Sequence, residues 1–350
     1  MMAFERLQDY GWSNYFFQQL SYDEICAEDT PGKLFRITAV HRNRIEAVGA
    51  DGEASIICPP EYQPVSQHLA VGDWILADAA HEHHRLVRIL EPKNRVRRVS
   101  NGLPQVIAAN LDYLWIVTSA NDEFNVKRLE RYLALAYEFQ IEPVLVLTKI
   151  DACPDPDSYL DALRELRVDN VHAVSVLSSD TLKVLDSYLV KGTSIALVGS
   201  SGVGKSTLIN AMFDTAQATK EIREDDARGR HTTTHRQLFF CTNGVAIIDT
   251  PGMRELQLYD AEQGLERAFQ SIAELSEQCR YANCTHGAEP GCAIRLAIDQ
   301  GTVSQAHFDN YSKLLKEDAS RQRRTEGAHA VKAYYRDYFR KIHSGNKEQW

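Results

Sequence analysis

Between residues 32 and 92 apolar positions recur in short runs, KLFRITAV, RIEAVGA, EASIICP, GDWILAD and RLVRILE, separated by Gly, Asn, Asp or Pro. Runs this short, rich in Val, Ile and aromatic residues, predict strands rather than helices. About five of them in so small a segment suit a closed barrel, an OB-fold being the expected kind and an SH3-like barrel the alternative. Ahead of the barrel, the apolar spacing predicts one short amphipathic helix over residues 4–20. Behind it, KNRVRRVSNGLP (93–104) is basic and then turn-rich, and reads as a linker.

The pattern then changes. YLWIVTSA (113–120), PVLVLTK (143–149), VHAVSV (171–176), TSIALVG (193–199) and GVAIID (244–249) are continuously apolar, with helical stretches at 124–139 and 156–167 between them. Continuous apolar strands alternating with helices predict a mostly parallel sheet covered on both faces. Beyond about residue 262 the strand pattern stops, and the remainder reads as helical around a Cys/His cluster, ending in a basic, Tyr-rich tail. The expected fold is multidomain: an N-terminal helix and OB-fold barrel over 1–100, a central α/β unit over 101–262, and a C-terminal helical unit over 263–350.

Composition narrows this little. With 44% hydrophobic and 25% charged residues, the 350-residue chain is ordinary for a globular protein. It lacks the 18 or more consecutive apolar residues of a membrane helix. Its first residues lack a basic start and a clean apolar run, so a cytoplasmic protein with no membrane association is expected. A net charge of -9 speaks against whole-chain affinity for nucleic acid, although local fields can differ from the sum. Without an export signal the seven cysteines do not imply disulfides.

Strand TSIALVG runs into Gly199-Ser200-Ser201-Gly202-Val203-Gly204-Lys205-Ser206-Thr207 and then a helix. This is G-x-x-x-x-G-K-[ST] in its strand–loop–helix setting. Glycines let backbone N–H groups turn inward into an anion nest at a helix start. Lys205 then reaches the β- and γ-phosphates as a catalytic cation, and the Ser206 hydroxyl ligates Mg²⁺. Downstream, Asp249-Thr250-Pro251-Gly252 closes a strand, which suits an acid near Mg²⁺ and a glycine amide on the γ-phosphate. The polar stretch REDDARGRHTTTH (223–235) reads as a switch loop. One of Thr232, Thr233 and Thr234 supplies a second hydroxyl to Mg²⁺, and Thr233 is favoured. Met253 follows DTPG, where Ras-like enzymes carry a water-orienting Gln, so His231 becomes the candidate for positioning water. An exposed loop histidine is the plain alternative.

Thr148-Lys149-Ile150-Asp151 ends strand PVLVLTK in the manner of [NT]-K-x-D. There the Asp accepts from guanine N1–H and the exocyclic amine, which adenine cannot offer, and the Lys stem covers the base. Ser175-Val176 can contact the base through backbone amides, or Ser175 is a solvated loop serine. The guanine motif thus precedes the phosphate loop, a circular permutation that a parallel sheet tolerates because position in space builds the site.

Cys279-x4-Cys284-x-His286-x5-Cys292 offers three thiolates and an imidazole. Such a set implies a closed, tetrahedral, structural Zn²⁺ site. Gly287, Pro290 and Gly291 supply the bends between ligands. RQRR (321–324) and YYRDYFRK (334–341) interleave basic and aromatic residues, suiting RNA phosphates and bases, or else form a solvated helix face with Tyr packed inward.

The order of OB-like barrel, TKID, GSSGVGKST, GRHTTT, DTPG and C-x4-C-x-H-x5-C resembles the ribosome small-subunit-dependent GTPases, the RsgA/YjeQ family, from about residue 30 to 340. The resemblance implies a late-acting maturation factor of the small (30S) ribosomal subunit, and a monomer working beside other assembly factors is expected. It implies GTP hydrolysis to GDP and phosphate, stimulated by the subunit, with the barrel and zinc unit contacting rRNA. It maps a hydrolytic histidine onto His231, and it commonly places Asn where this chain has Thr148. A GTP-gated RNA-binding switch unconnected with ribosomes and a metabolic P-loop kinase are the competing classes.

Overall fold

A computed structural model describes residues 2–80, 83–100, 103–213, 237–249, 261–287 and 289–324. The five anticipated barrel strands are β1 (Leu34–Val40), β2 (Arg44–Gly49), β3 (Gly52–Ile57), β4 (Trp74–Ala80) and β5 (His83–Ile89). They pair in the order β1-β2-β3-β5-β4, and a β4–β1 ladder closes the ring, as in an OB-fold. Alternation does the sorting: in β2, Ile45 and Ala47 are buried while Arg44 and Glu46 face out. Ile37, Ile45, Ile56, Ile75 and Leu86 fill the interior.

The single helix expected over 4–20 is instead α1 (Met2–Gln8) and α2 (Asn14–Phe17), followed by α3 (Tyr22–Cys26) and α4 (Thr30–Lys33). Gly11, at φ 88, turns the chain between the first two. The split lets Leu7, Trp12, Phe16 and Leu20 all reach the barrel wall at Trp74, Leu76 and Leu90. A short α5 (Val65–His68) lies between β3 and β4.

The segment read as a linker is structured. β6 (Arg95–Ser100) and β7 (Leu103–Ala109) form an antiparallel hairpin. Its arginines disguised the pattern, but Val96, Val106, Ile107 and Ala108 are fully buried, and Asn-Gly between two such runs is itself a hairpin signal.

The central sheet runs β10 (Val171–Ala173), β9 (Glu142–Thr148), β8 (Tyr113–Ser119), β11 (Ser194–Val198), β13 (Ala246–Asp249), β12 (Gln237–Phe240). Its first five strands are parallel, and β12, which the sequence pattern did not reveal, is antiparallel. On β8, Leu114 and Ile116 enter one core while Trp115 and Val117 enter the other. Helices α6 (Val126–Glu138), α7 (Asp157–Arg164), α8 (Ser179–Leu182) and α9 (Lys205–Met212) belong to this layer. Because β12 also pairs with β1, barrel and central sheet form one eleven-stranded hydrogen-bonded sheet.

Charged groups buried at that junction hold it together. Arg36 of β1 donates to the Tyr10 carbonyl (2.5 Å) and to Ser194 Oγ at the start of β11 (2.6 Å). Burial pulls its guanidinium down to about 10, against the influence of Asp112 and Asp73. Asp73 in turn pairs with Arg95 of the hairpin at 2.8 Å. The C-terminal helices, α10 (Glu262–Ala268), α11 (Gln270–Ser276), α12 (Ala293–Asp299) and α13 (Gln305–Arg324), share their core with α6. Buried Glu130 of α6 meets His307 and Asn310 of α13, Arg131 forks onto Glu317, and Arg267 stacks on Tyr137 at 4.3 Å. Among the described residues no helix is long and apolar enough to cross a membrane.

Breaking one partner out of a buried ion pair costs about 3–5 kcal/mol. Asp73→Ala is therefore expected to lower the urea midpoint by that much stability at an unchanged slope. A loss below about 1 kcal/mol would show that the Arg95 pair does not hold the joint.

Candidate functional site

Parallel strands send their carboxyl ends to one edge of the sheet, where ligands of open α/β folds bind. Here that edge gathers Ser119, Thr148 and Asp249, the ends of β8, β9 and β13, with Gly199, the residue after β11. Gly199 leaves β11 at φ 145, and a Cβ there would sit 2.2 Å from the Val117 carbonyl, so only glycine fits. Gly204, at φ 96, opens α9, whose first turn carries no acid to repel an anion. Val203 is buried under the loop, and Ser200 and Ser206 are half-buried, whereas Ser201, Gly202 and Thr207 are exposed. Lys205 is 8% exposed, and its Nζ donates to the carbonyls of Gly199 (3.0 Å) and Ser200 (2.6 Å). The ammonium is thus held across the loop, within reach of anything its N–H groups bind.

The guanine motif lies beside it. Thr148 ends β9 buried, and Lys149 takes the left-handed conformation at φ 59, which sends its Nζ 2.7 Å from the Gly202 carbonyl. Ile150 is half-buried against the core, and Asp151 stands exposed on the short turn that follows. Ser175 is not a solvated serine: it is 3% exposed, its N–H donates to Thr181, and its hydroxyl accepts from the Leu177 N–H. It builds the loop that carries Val176 next to β9. Thr181 carried no sequence signal for this part, and neither did the carbonyl of Thr118, which Thr148 meets. Asp249 closes β13. His231, Thr233 and Gly252 lie outside the described residues.

The second cluster is compact. Cys279 Sγ lies 3.5 Å from His286 Nδ1 and 4.0 Å from Cys292 Sγ, Cys292 Sγ lies 3.6 Å from the same nitrogen, and Cys284 completes a set within 4.8 Å. A tetrahedral zinc with the usual bond lengths separates its ligand atoms by about 3.5–3.8 Å, so the donor set fits that metal. Burial raises the Cys279 thiol, but N–H groups of Ala293 and Ile294 at the start of α12, with the neighbouring thiols, outweigh it and leave the group below its ordinary value. Residues that spacing could not reveal brace the ligand loop. Arg295 donates to the carbonyls of His286 and Gly287, and Glu289 accepts from the N–H groups of Thr285 and Gly287.

A family model described as RsgA GTPase matches residues 89–259. The Small ribosomal subunit biogenesis GTPase RsgA 2 of Vibrio vulnificus is 42% identical over 318 residues, covering 89% of this chain and 88% of its own. The chain belongs to the RsgA GTPase family. It is a GTP hydrolase, and the guanine nucleotide is its ligand. Two solved structures share the architecture. YjeQ from Thermotoga maritima superposes with a TM-score of 0.62 at 24% identity, over 81% of this chain and 98% of its own. YloQ, a circularly permuted GTPase, gives 0.57 at 25% identity, over 82% and 95%. The RsgA motif order, guanine loop before phosphate loop, is that permutation, and the Cys₃His group is compatible with zinc.

Two variants probe these sites. Gly199→Ala is expected to abolish binding of a fluorescent GTP analogue while the melting curve shows a folded chain; near-native affinity would mean the loop can move off Val117. Cys292→Ala is expected to take the zinc content, measured by atomic emission, from one ion per chain to almost none. Zinc retained in full would remove Cys292 from the ligand set.

Proposed function

We propose that this GTPase acts in late maturation of the small ribosomal subunit, binding its rRNA and hydrolysing GTP when the subunit stimulates it. The observation that carries the reading is a likeness, 42% identical over 89% of the chain, to a relative named for small ribosomal subunit biogenesis. The layout supports it: a barrel and a metal-bearing helical unit flank one nucleotide site, giving two surfaces for a large RNA partner. The setting is the cytoplasm, and the working form is the monomer.

In this reading Asp151 accepts from the guanine edge, the Lys149 stem covers the base, and the loop at Ser175 and Val176 faces it. The N–H groups from Gly199 to Thr207 cradle the phosphates, and Lys205 leaves its two carbonyl partners for phosphate oxygens. Ser206, Thr233 and Asp249 would hold Mg²⁺, which neutralises charge on the phosphates when bound, and the Gly252 amide reads the γ-phosphate. His231 orients the attacking water. Cys279, Cys284, His286 and Cys292 hold one structural Zn²⁺.

The test is steady-state GTP turnover with and without purified small subunits, for the native chain and His231→Ala. Stimulation is expected for the native chain. The variant should bind GTP normally and turn it over about 10²-fold more slowly or worse. No stimulation of the native chain would defeat the ribosomal reading, and equal turnover would remove the histidine's role. Preference for ATP over GTP would point to a metabolic P-loop enzyme.

A further inference from the structure

Of the four residues in the Cys₃His set, His286 has the unusual backbone. It sits at φ 59, in the left-handed region that residues other than glycine seldom enter. Such a conformation persists only where the surroundings impose it. A left-handed residue turns the N–H groups around it toward one point and makes a small anion-binding hollow. Glu289 fills that hollow from three residues downstream. Its carboxylate accepts from the Thr285 N–H at 3.0 Å, from the Gly287 N–H at 2.8 Å and from the Thr285 hydroxyl. The Thr285 hydroxyl, with N–H groups of the turn, holds the Glu289 carboxyl down at about 2, so these bonds are charge-assisted.

Arg295 of α12 takes the acceptors of the same stretch. Its Nε donates to the His286 carbonyl at 3.1 Å and to the Gly287 carbonyl at 2.8 Å. None of these bonds uses a metal-ligating atom, so the turn is held by its own polar groups. The result is an imidazole whose Nδ1 lies 3.5 Å from Cys279 Sγ and 3.6 Å from Cys292 Sγ. Among the described residues, the donor atoms gathered within 4.8 Å of one another are the three thiols and this imidazole, and Glu289 is not among them.

We propose that Glu289 is a positioning residue for the metal: its carboxylate locks His286 in the left-handed turn and presets the imidazole for zinc without ligating it. A turn released from this lock must be re-formed by the metal, and that cost is read as weaker binding. Groups that orient metal ligands are worth about 10–100-fold in metal affinity.

The proposal rests on the Cys₃His set holding zinc, so the native full-length chain is titrated first, against a chromophoric chelator of known zinc affinity. Failure of the native chain to take up one ion would overturn the ligand reading itself, and the proposal with it. Glu289→Ala and Glu289→Gln are then compared in the same titration. Both should bind zinc about 10–100-fold more weakly than the native chain. Glutamine keeps the size but offers one acceptor oxygen to two N–H groups. Once saturated with Co²⁺, both should show the native visible spectrum, because the four ligands are unchanged. A spectrum altered at saturation would make Glu289 a ligand and overturn the proposal, and so would native zinc affinity in both variants. The deciding comparison is Glu289→Ala in a His286→Ala background. With no imidazole to aim, the second substitution should cost little further affinity. The same fold-loss in both backgrounds would show that Glu289 does not act through His286.

Discussion

The burial of both faces of the central parallel sheet is the constraint from which the other features follow. A strand such as β8, with Leu114 and Ile116 in one core and Trp115 and Val117 in the other, cannot slip register without driving four large side chains into positions packed for other shapes. Once β8, β9, β11 and β13 are locked side by side, their carboxyl ends are locked too. The phosphate loop and the guanine loop then meet at one edge whichever comes first in the chain. Permutation is harmless for this reason: the hydrogen-bonded ladder, not connectivity, sets which loops are neighbours.

The two flanking units are attached to this sheet rather than suspended from it. The barrel joins through β12 and β1 and through the buried Arg36, Asp73 and Arg95. The helices that carry the Cys₃His set join through α6, where Glu130 meets His307 and Asn310 in a shared apolar core. Buried ionic groups of this kind cost desolvation and give back geometry. They fix where each unit lies relative to the nucleotide edge. The chain leaves that edge at Asp249 and re-enters described structure at Ala261, whose N–H donates to Asp318 of α13.

Misreadings of the sequence came where charge overlay apolar spacing or where a strand was very short. Arg95, Arg97 and Arg98 made a buried hairpin look like a basic linker, although Val96 and the run from Val106 carried the true pattern. The four residues of β12 were too few to show periodicity. The N-terminal helix breaks at Gly11, whose φ of 88 is not helical, and a Cβ there would strike Arg36 and the Gly192 carbonyl, distant neighbours with no local signature.

Sequence alone determined the chemistry that needs close spacing: the phosphate loop, the guanine motif, the Cys₃His set and the alternation that makes the barrel. Each of these is a demand placed on neighbouring residues, so it leaves a readable string. Tertiary structure alone decided which main-chain groups those residues meet. That Thr148 bonds to Val203, 55 residues away, and that Glu130 meets His307, 177 away, could not be read from the chain. Carbonyl oxygens are the same at every residue, and a buried carboxylate does not name its partner. Only the packed sheet brings them within bonding distance.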